Sequence, residues 1–257
     1  MTESAAEFQT LISGLFWHGA AIFLRVSALV SVLPAFGERT VPVRIKLVLS
    51  VMFTLVVAPA VKTGAAAAGP DQVLIAAAPE ILTGLALGLT IRLFVLALQT
   101  AGAIAAQSTS LAQLLGGAAA EPMPAIGYIL VVGGLALAVM SGLHVQVARF
   151  VIFSYEMFPF GRWPDAGTIS SWGVSRVAYS FALAFVLAAP FVLASVIYNL
   201  TLGVINRAMP QLQVAFVGAP VITFGGLAIL FLAAPVMLTV WHGALTDFLV
   251  NPVAAAK

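Results

Sequence analysis

Six apolar runs, each long enough to cross about 30 Å of hydrocarbon as a helix, fill most of this chain, and the few charges fall mainly at the joints between them. The runs cover residues 11–36, 45–61, 73–106, 126–158, 172–205 and 212–250. Of the 257 residues, 62% are apolar and 8% charged, where a water-soluble domain carries about a quarter charged residues. Such helices must face lipid or equally apolar neighbours. The runs show no alternation and exceed barrel strands in length, so the expected fold is all-α, an integral-membrane-type bundle of about six long helices.

Several runs are longer than a straight crossing needs. Residues 73–106 would span about 50 Å at roughly 1.5 Å per residue, so tilt, kinks or extension beyond the bilayer follow. Pro79, Pro190, Pro220 and Pro235 supply kink points, because proline lacks the N–H and crowds the preceding turn. With six crossings, Arg39, Arg44, Lys46 and Arg207 lie on one side, and Lys62, Arg162, Arg176 and Lys257 on the other. Four against four gives the positive-inside rule nothing to act on. Either a partner sets the topology or the helices do not end as ordinary lipid-bounded spans.

Other classes recede on composition. There is no cysteine, hence no disulfide or thiolate site, and the net charge of +2 is dispersed, unlike a nucleic-acid footprint. Glu3 and Glu7 without a basic residue in the first ten do not make a signal-peptide n-region, so the first run is expected to be retained. The Ala/Gly stretches 64–69 and 116–120 read as flexible loops. His18, His144 and His242 are too dispersed for a metal site. No nucleophile elbow, zinc-protease motif, phosphate loop or dinucleotide fingerprint occurs, so neither an enzyme nor a cofactor is expected. Gly84, Gly88, Gly133 and Gly134 are read as helix-packing positions. Arg25, Glu80, Arg92 and Arg149 lie inside apolar sequence, where a bare charge costs about 2.5–3.5 kcal/mol or more. They either form a proton or ion relay or pair with carbonyls, neighbouring helices or other subunits.

Three stretches carry a resemblance. The first runs from Arg25-Val-Ser-Ala-Leu into Pro34-Ala-Phe-Gly-Glu-Arg-Thr-Val-Pro-Val-Arg-Ile-Lys. The second joins Gly142-Leu-His144 to Ser154-Tyr-Glu-Met-Phe-Pro-Phe-Gly161. The third, Asn206-Arg207-Ala-Met-Pro210-Gln211 followed by Gly218-Ala-Pro220, is the most specific. Together they resemble the FliR family of the bacterial flagellar export apparatus, whose relatives in virulence type III secretion are similar. The likeness extends over nearly the whole chain. At the central break the pattern departs: Gln107 is followed by Ser108 and Thr109, Glu121-Pro122 replaces Asp-Pro, and Leu143 separates Gly142 from His144.

The resemblance implies a subunit that forms, with FliP- and FliQ-like subunits, the pore for unfolded exported proteins in the bacterial inner membrane. It also implies FlhB- and FlhA-like export components nearby and an assembly raised out of the bilayer plane. Residues 1–170 would be a FliP-like portion and 171–257 a FliQ-like helical hairpin with its tip at 206–211. The break at 107–124 would be the plug. Leu111, Leu114 and Leu115 supply apolar bulk for a constriction that dewets, Gly116 and Gly117 let the backbone fold back, and Pro122 and Pro124 stop it; Gln107 opens the loop. The alternative is an exposed connector. Asn206, Arg207, Pro210 and Gln211 form either an inter-subunit contact or a self-capped turn. A stand-alone transporter or channel, or the virulence counterpart of the same subunit, are the competing functions.

Overall fold

The computed structural model describes residues 2–38, 41–61, 70–109, 125–209 and 214–252, and every regular element among them is helical. In chain order these are α1 (Thr2–Val32), α2 (Val43–Val57) with a 3-10 turn at Ala58–Ala60, and α3 (Pro70–Thr109). There follow α4 (Ala125–Met140), α5 (Leu143–Met157), α6 (Ala166–Ala208) and α7 (Val214–Val250). Five helices are long and apolar enough to cross a membrane, or six if the bent pair α4 and α5 counts as one span. The expected single run at 126–158 is therefore two helices. Gly142, at φ 83°, takes the left-handed conformation that glycine enters without a Cβ penalty, and the Gly142-Leu-His144 stretch is the site of that break.

The described residues divide into two compact units. The first comprises Met1–Leu93, Ser141–Val177 and Thr246–Lys257. On α1 its core stripe is Ala21, Ile22, Val26, Leu29 and Leu33, the three-and-four spacing of one helical face. Leu87 and Ile91 of α3 and Val147, Phe150 and Val151 of α5 are buried in the same unit. Pro34 ends α1, Ala35 turns at φ 68°, and Gly37 folds back so closely that a Cβ there would lie 2.6 Å from the Ser31 carbonyl oxygen. Lys46 closes this turn by donating from Nζ to the Gly37 carbonyl at 2.7 Å. At the far end of α2, Pro59 interrupts the hydrogen-bond ladder and the chain tightens into its 3-10 turn. His18 Nε2 lies 2.9 Å from the Ala58 carbonyl there.

The second unit comprises Phe94–Met140 and Ala178–Leu245. Its core draws Leu98, Ala101 and Ala105 from α3, Leu130 from α4, Leu187 and Phe191 from α6, and Trp241 from α7. Gly102 of α3 meets Gly127 of α4 backbone to backbone, an approach that only glycine permits. Hydroxyls along the helices are satisfied locally: Thr54 bonds the Ser50 carbonyl, Thr83 that of Pro79, and Thr90 that of Ala86. That four-residue back-bonding lets polar side chains sit in apolar helices. The outer faces are apolar. Phe185, Phe224, Phe231 and Leu232 are 61%, 77%, 81% and 72% exposed, surfaces that water would not tolerate as a continuous skin.

Candidate functional site at a buried ion pair

Two of the three sequence stretches meet inside the first unit. Arg25 of α1 and Glu80 of α3, each 1% exposed, form an ion pair with Nε to Oε2 at 2.8 Å. A second bond runs from Arg25 Nη2 to Glu80 Oε1 at 3.0 Å, so the carboxylate and guanidinium engage through two parallel contacts. The remaining donors of Arg25 reach the end of α5. Nη1 donates to Ser154 Oγ at 3.1 Å and Nη2 to the Phe158 carbonyl at 2.8 Å. Glu80 Oε1 in turn accepts the Gly161 backbone N–H at 3.1 Å. The Tyr155 ring lies under the guanidinium, 3.7 Å from its carbon to the ring centroid, within cation–π range.

Chain geometry explains why these groups converge. Arg25 continues the buried stripe of α1, so it points inward with Ile22 and Leu29. Glu80 follows Pro79 on α3 and shares the buried face with Thr83 and Leu87. Gly84, one turn further, brings α3 against the backbone of Arg25 itself, for a Cβ there would run into the Arg25 carbonyl. Close backbone approach at Gly84 and Gly88 is thus what lets the short Glu80 reach across. The helix-packing reading of these glycines holds.

Of the two readings of the intramembrane charges, pairing is what Arg25 and Glu80 display. Arg92 is half-buried on α3 and Arg149 exposed on α5, and neither bonds this pair. Arg176 is buried in α6 and donates to the Pro252 carbonyl at 3.2 Å, as does the Trp172 indole. Sequence reasoning missed Ser154, Phe158 and Gly161 as partners; Arg25 with the lone nearby acid on a different run was the available signal. The groups His, Asp and Glu form no cluster fit for a metal ion among the described residues.

The other sequence-derived candidates lie elsewhere. Gln107 is exposed in the last turns of α3. Leu111, Leu114, Leu115, Gly116, Gly117, Pro122 and Pro124 lie outside the described residues, as do Pro210 and Gln211. Asn206 and Arg207 are exposed in the last turn of α6, where a cation complements the negative end of the helix dipole.

The family described as bacterial export proteins, family 1, matches residues 16–248. The chain belongs to this family. It is 32% identical to the flagellar biosynthetic protein FliR of Caulobacter vibrioides, over 94% of this chain and 95% of that protein. To the protein of the same name from Escherichia coli it is 29% identical, over 86% and 84%. To that of Bacillus subtilis it is 24% identical, over 81% and 83%. As a FliR-family member, the chain is an inner-membrane component of the flagellar export apparatus, working in transport and not as an enzyme.

Proposed function

We propose that this FliR-family chain completes a helical export gate with FliP- and FliQ-like subunits, through which unfolded flagellar proteins leave the cytoplasm. In this reading residues 1–170 are the FliP-like portion, 171–257 the FliQ-like hairpin, and the assembled helices rise out of the bilayer plane. FlhB- and FlhA-like components would lie beside the gate. The observation that carries it is the apolar outer surface of α6 and α7, where Phe185, Phe224, Phe231 and Leu232 are all well over half exposed. Together with a balanced charge bias, such a surface suits burial on sister subunits as well as lipid.

Residues 107–124 are the proposed plug, with Gln107, Leu111, Leu114, Leu115, Gly116, Gly117, Pro122 and Pro124 as its elements. Asn206, Arg207, Pro210 and Gln211 are the proposed inter-subunit contact. Purification of the chain in mild detergent should bring FliP- and FliQ-like chains with it. Recovery as a solitary, transport-competent carrier in liposomes would overturn the gate reading. Deleting residues 110–120 should raise ion leak through the assembled gate; normal assembly with unchanged leak removes the plug. Arg207→Ala should weaken co-purification, and normal yield would leave 206–211 as a self-capped turn.

A further inference from the structure

We propose that the Arg25–Glu80 pair is a positioning device for the 158–161 turn, seating it on α1 and α3 and thereby setting where α6 begins. Charge neutralisation alone would need only the two bonds between the side chains. Three further bonds leave the pair, and all end on α5 or the turn: Ser154 Oγ, the Phe158 carbonyl and the Gly161 N–H.

The backbone of that turn has few other ways to be satisfied. Phe158, at φ −127° and ψ 89°, has left the α5 helix, and Gly161 turns at φ 69°. Pro159 contributes no donor. A partly buried carbonyl and N–H are costly to leave unpaired, and Arg25 and Glu80 supply the donor and acceptor. The seat has a packing half as well. Phe160 packs against the fully buried Ala21, which lies one helical turn before Arg25 on α1. Gly161 faces Ala76, which lies one turn before Glu80 on α3; a Cβ on Gly161 would rest 3.4 Å from the Ala76 Cβ. Each helix thus offers a small residue and a charged one in successive turns of one face, a notch and a clasp. Downstream, only the segment 162–165 separates the seated turn from the start of α6.

The chain contains no cysteine, so a single Phe160→Cys reports directly on the seat by its rate of maleimide labelling in detergent-solubilised full-length chain. Position 160 is partly buried, so labelling in the Phe160→Cys parent should be slow relative to an exposed site such as Pro159→Cys. Arg25→Lys keeps a charge beside Glu80 but offers one nitrogen where Nη1 and Nη2 separately hold Ser154 and Phe158, and it should label about tenfold faster, a local opening of about 1.4 kcal/mol. Arg25→Met/Glu80→Leu removes both charges without stranding either, and should be recovered in most of the normal amount yet label as fast as Arg25→Lys. Ala138→Cys, buried in α4 of the second unit, should stay unlabelled in every background. Parent-like slow labelling in either variant, fast labelling in the parent, or exposure of Ala138 in parallel would each overturn the proposal. Co-purification of partner chains tests the gate reading independently, so the failure of one is distinguishable from the failure of the other.

Discussion

Trp241 donates its indole N–H to the backbone carbonyl of Phe94 over 2.7 Å, and the whole Trp241 side chain is buried. An indole inside an apolar bundle needs a partner for its one donor, and a helix carbonyl with a spare lone pair provides it. The bond ties α7 to α3 within the second unit, while Gly134 of α4 leaves room for the ring: a Cβ there would approach it to 3.3 Å.

Trp241→Phe should therefore lose about 1 kcal/mol for the hydrogen bond, with a further loss from the smaller ring. Trp241→Ala should cost about 3–5 kcal/mol. The midpoint of thermal aggregation in detergent checks the order: Phe mildly reduced, Ala strongly. Equal midpoints for the two variants would mean that the bond, not the ring, is what matters.

Loss of one member of the Arg25–Glu80 pair should be worse than loss of both. A buried charge without its partner costs about 3–5 kcal/mol, whereas a well-packed apolar replacement of both is near neutral. Arg25→Met and Glu80→Leu should each sharply reduce the amount of protein in the membrane, and the double variant should recover most of it. Additive losses would show that the charges act independently.

Gly84→Ala should separate α1 from α3, because the new Cβ meets the Arg25 carbonyl and lies 2.9 Å from the Ala28 Cβ. Overpacking against backbone costs about 1–3 kcal/mol. Gly19→Ala, with nothing within 4 Å of its Cβ, should be neutral or gain up to about 1 kcal/mol of helix propensity. Similar thermal shifts for the two would contradict this packing.

Asp165 caps α6. Its Oδ2 accepts the backbone N–H of Thr168 and the Thr168 hydroxyl, both at 2.8 Å, and these bonds hold the carboxylate below its ordinary pKa. A folded-state value below the unfolded one means the cap is fully effective above the ordinary carboxylate range and is lost as pH falls through the lowered value. Protection of the Thr168 amide against hydrogen exchange, judged against the intrinsic rate at each pH, should be high at neutral pH and fall only in acid. Asp165→Ala should exchange fast throughout, and Asp165→Asn, a neutral cap, should show no acid step.

Much of the architecture could be read from residue order because apolar runs separated by charges and prolines translate directly into helices of matching length. The run at 126–158 was the exception. Gly142 sits among apolar residues like any packing glycine, and only its backbone conformation reveals a break. The packing glycines Gly84 and Gly88 were legible as a class, yet which helix they meet was not. The partnership of Arg25 with Glu80 was equally hidden: 55 positions separate them, and no local pattern links one run to another.

By itself, the order of residues determined that the chain is helical, that it belongs in a membrane, and that it is a FliR-type export component, because hydrophobic length and short linear motifs are local properties. Tertiary structure alone decided that Arg25 and Glu80 neutralise each other and grip the 158–161 turn. The physical reason is that a buried charge chooses its partner by proximity in three dimensions, and that proximity exists only once α1, α3 and α5 have packed.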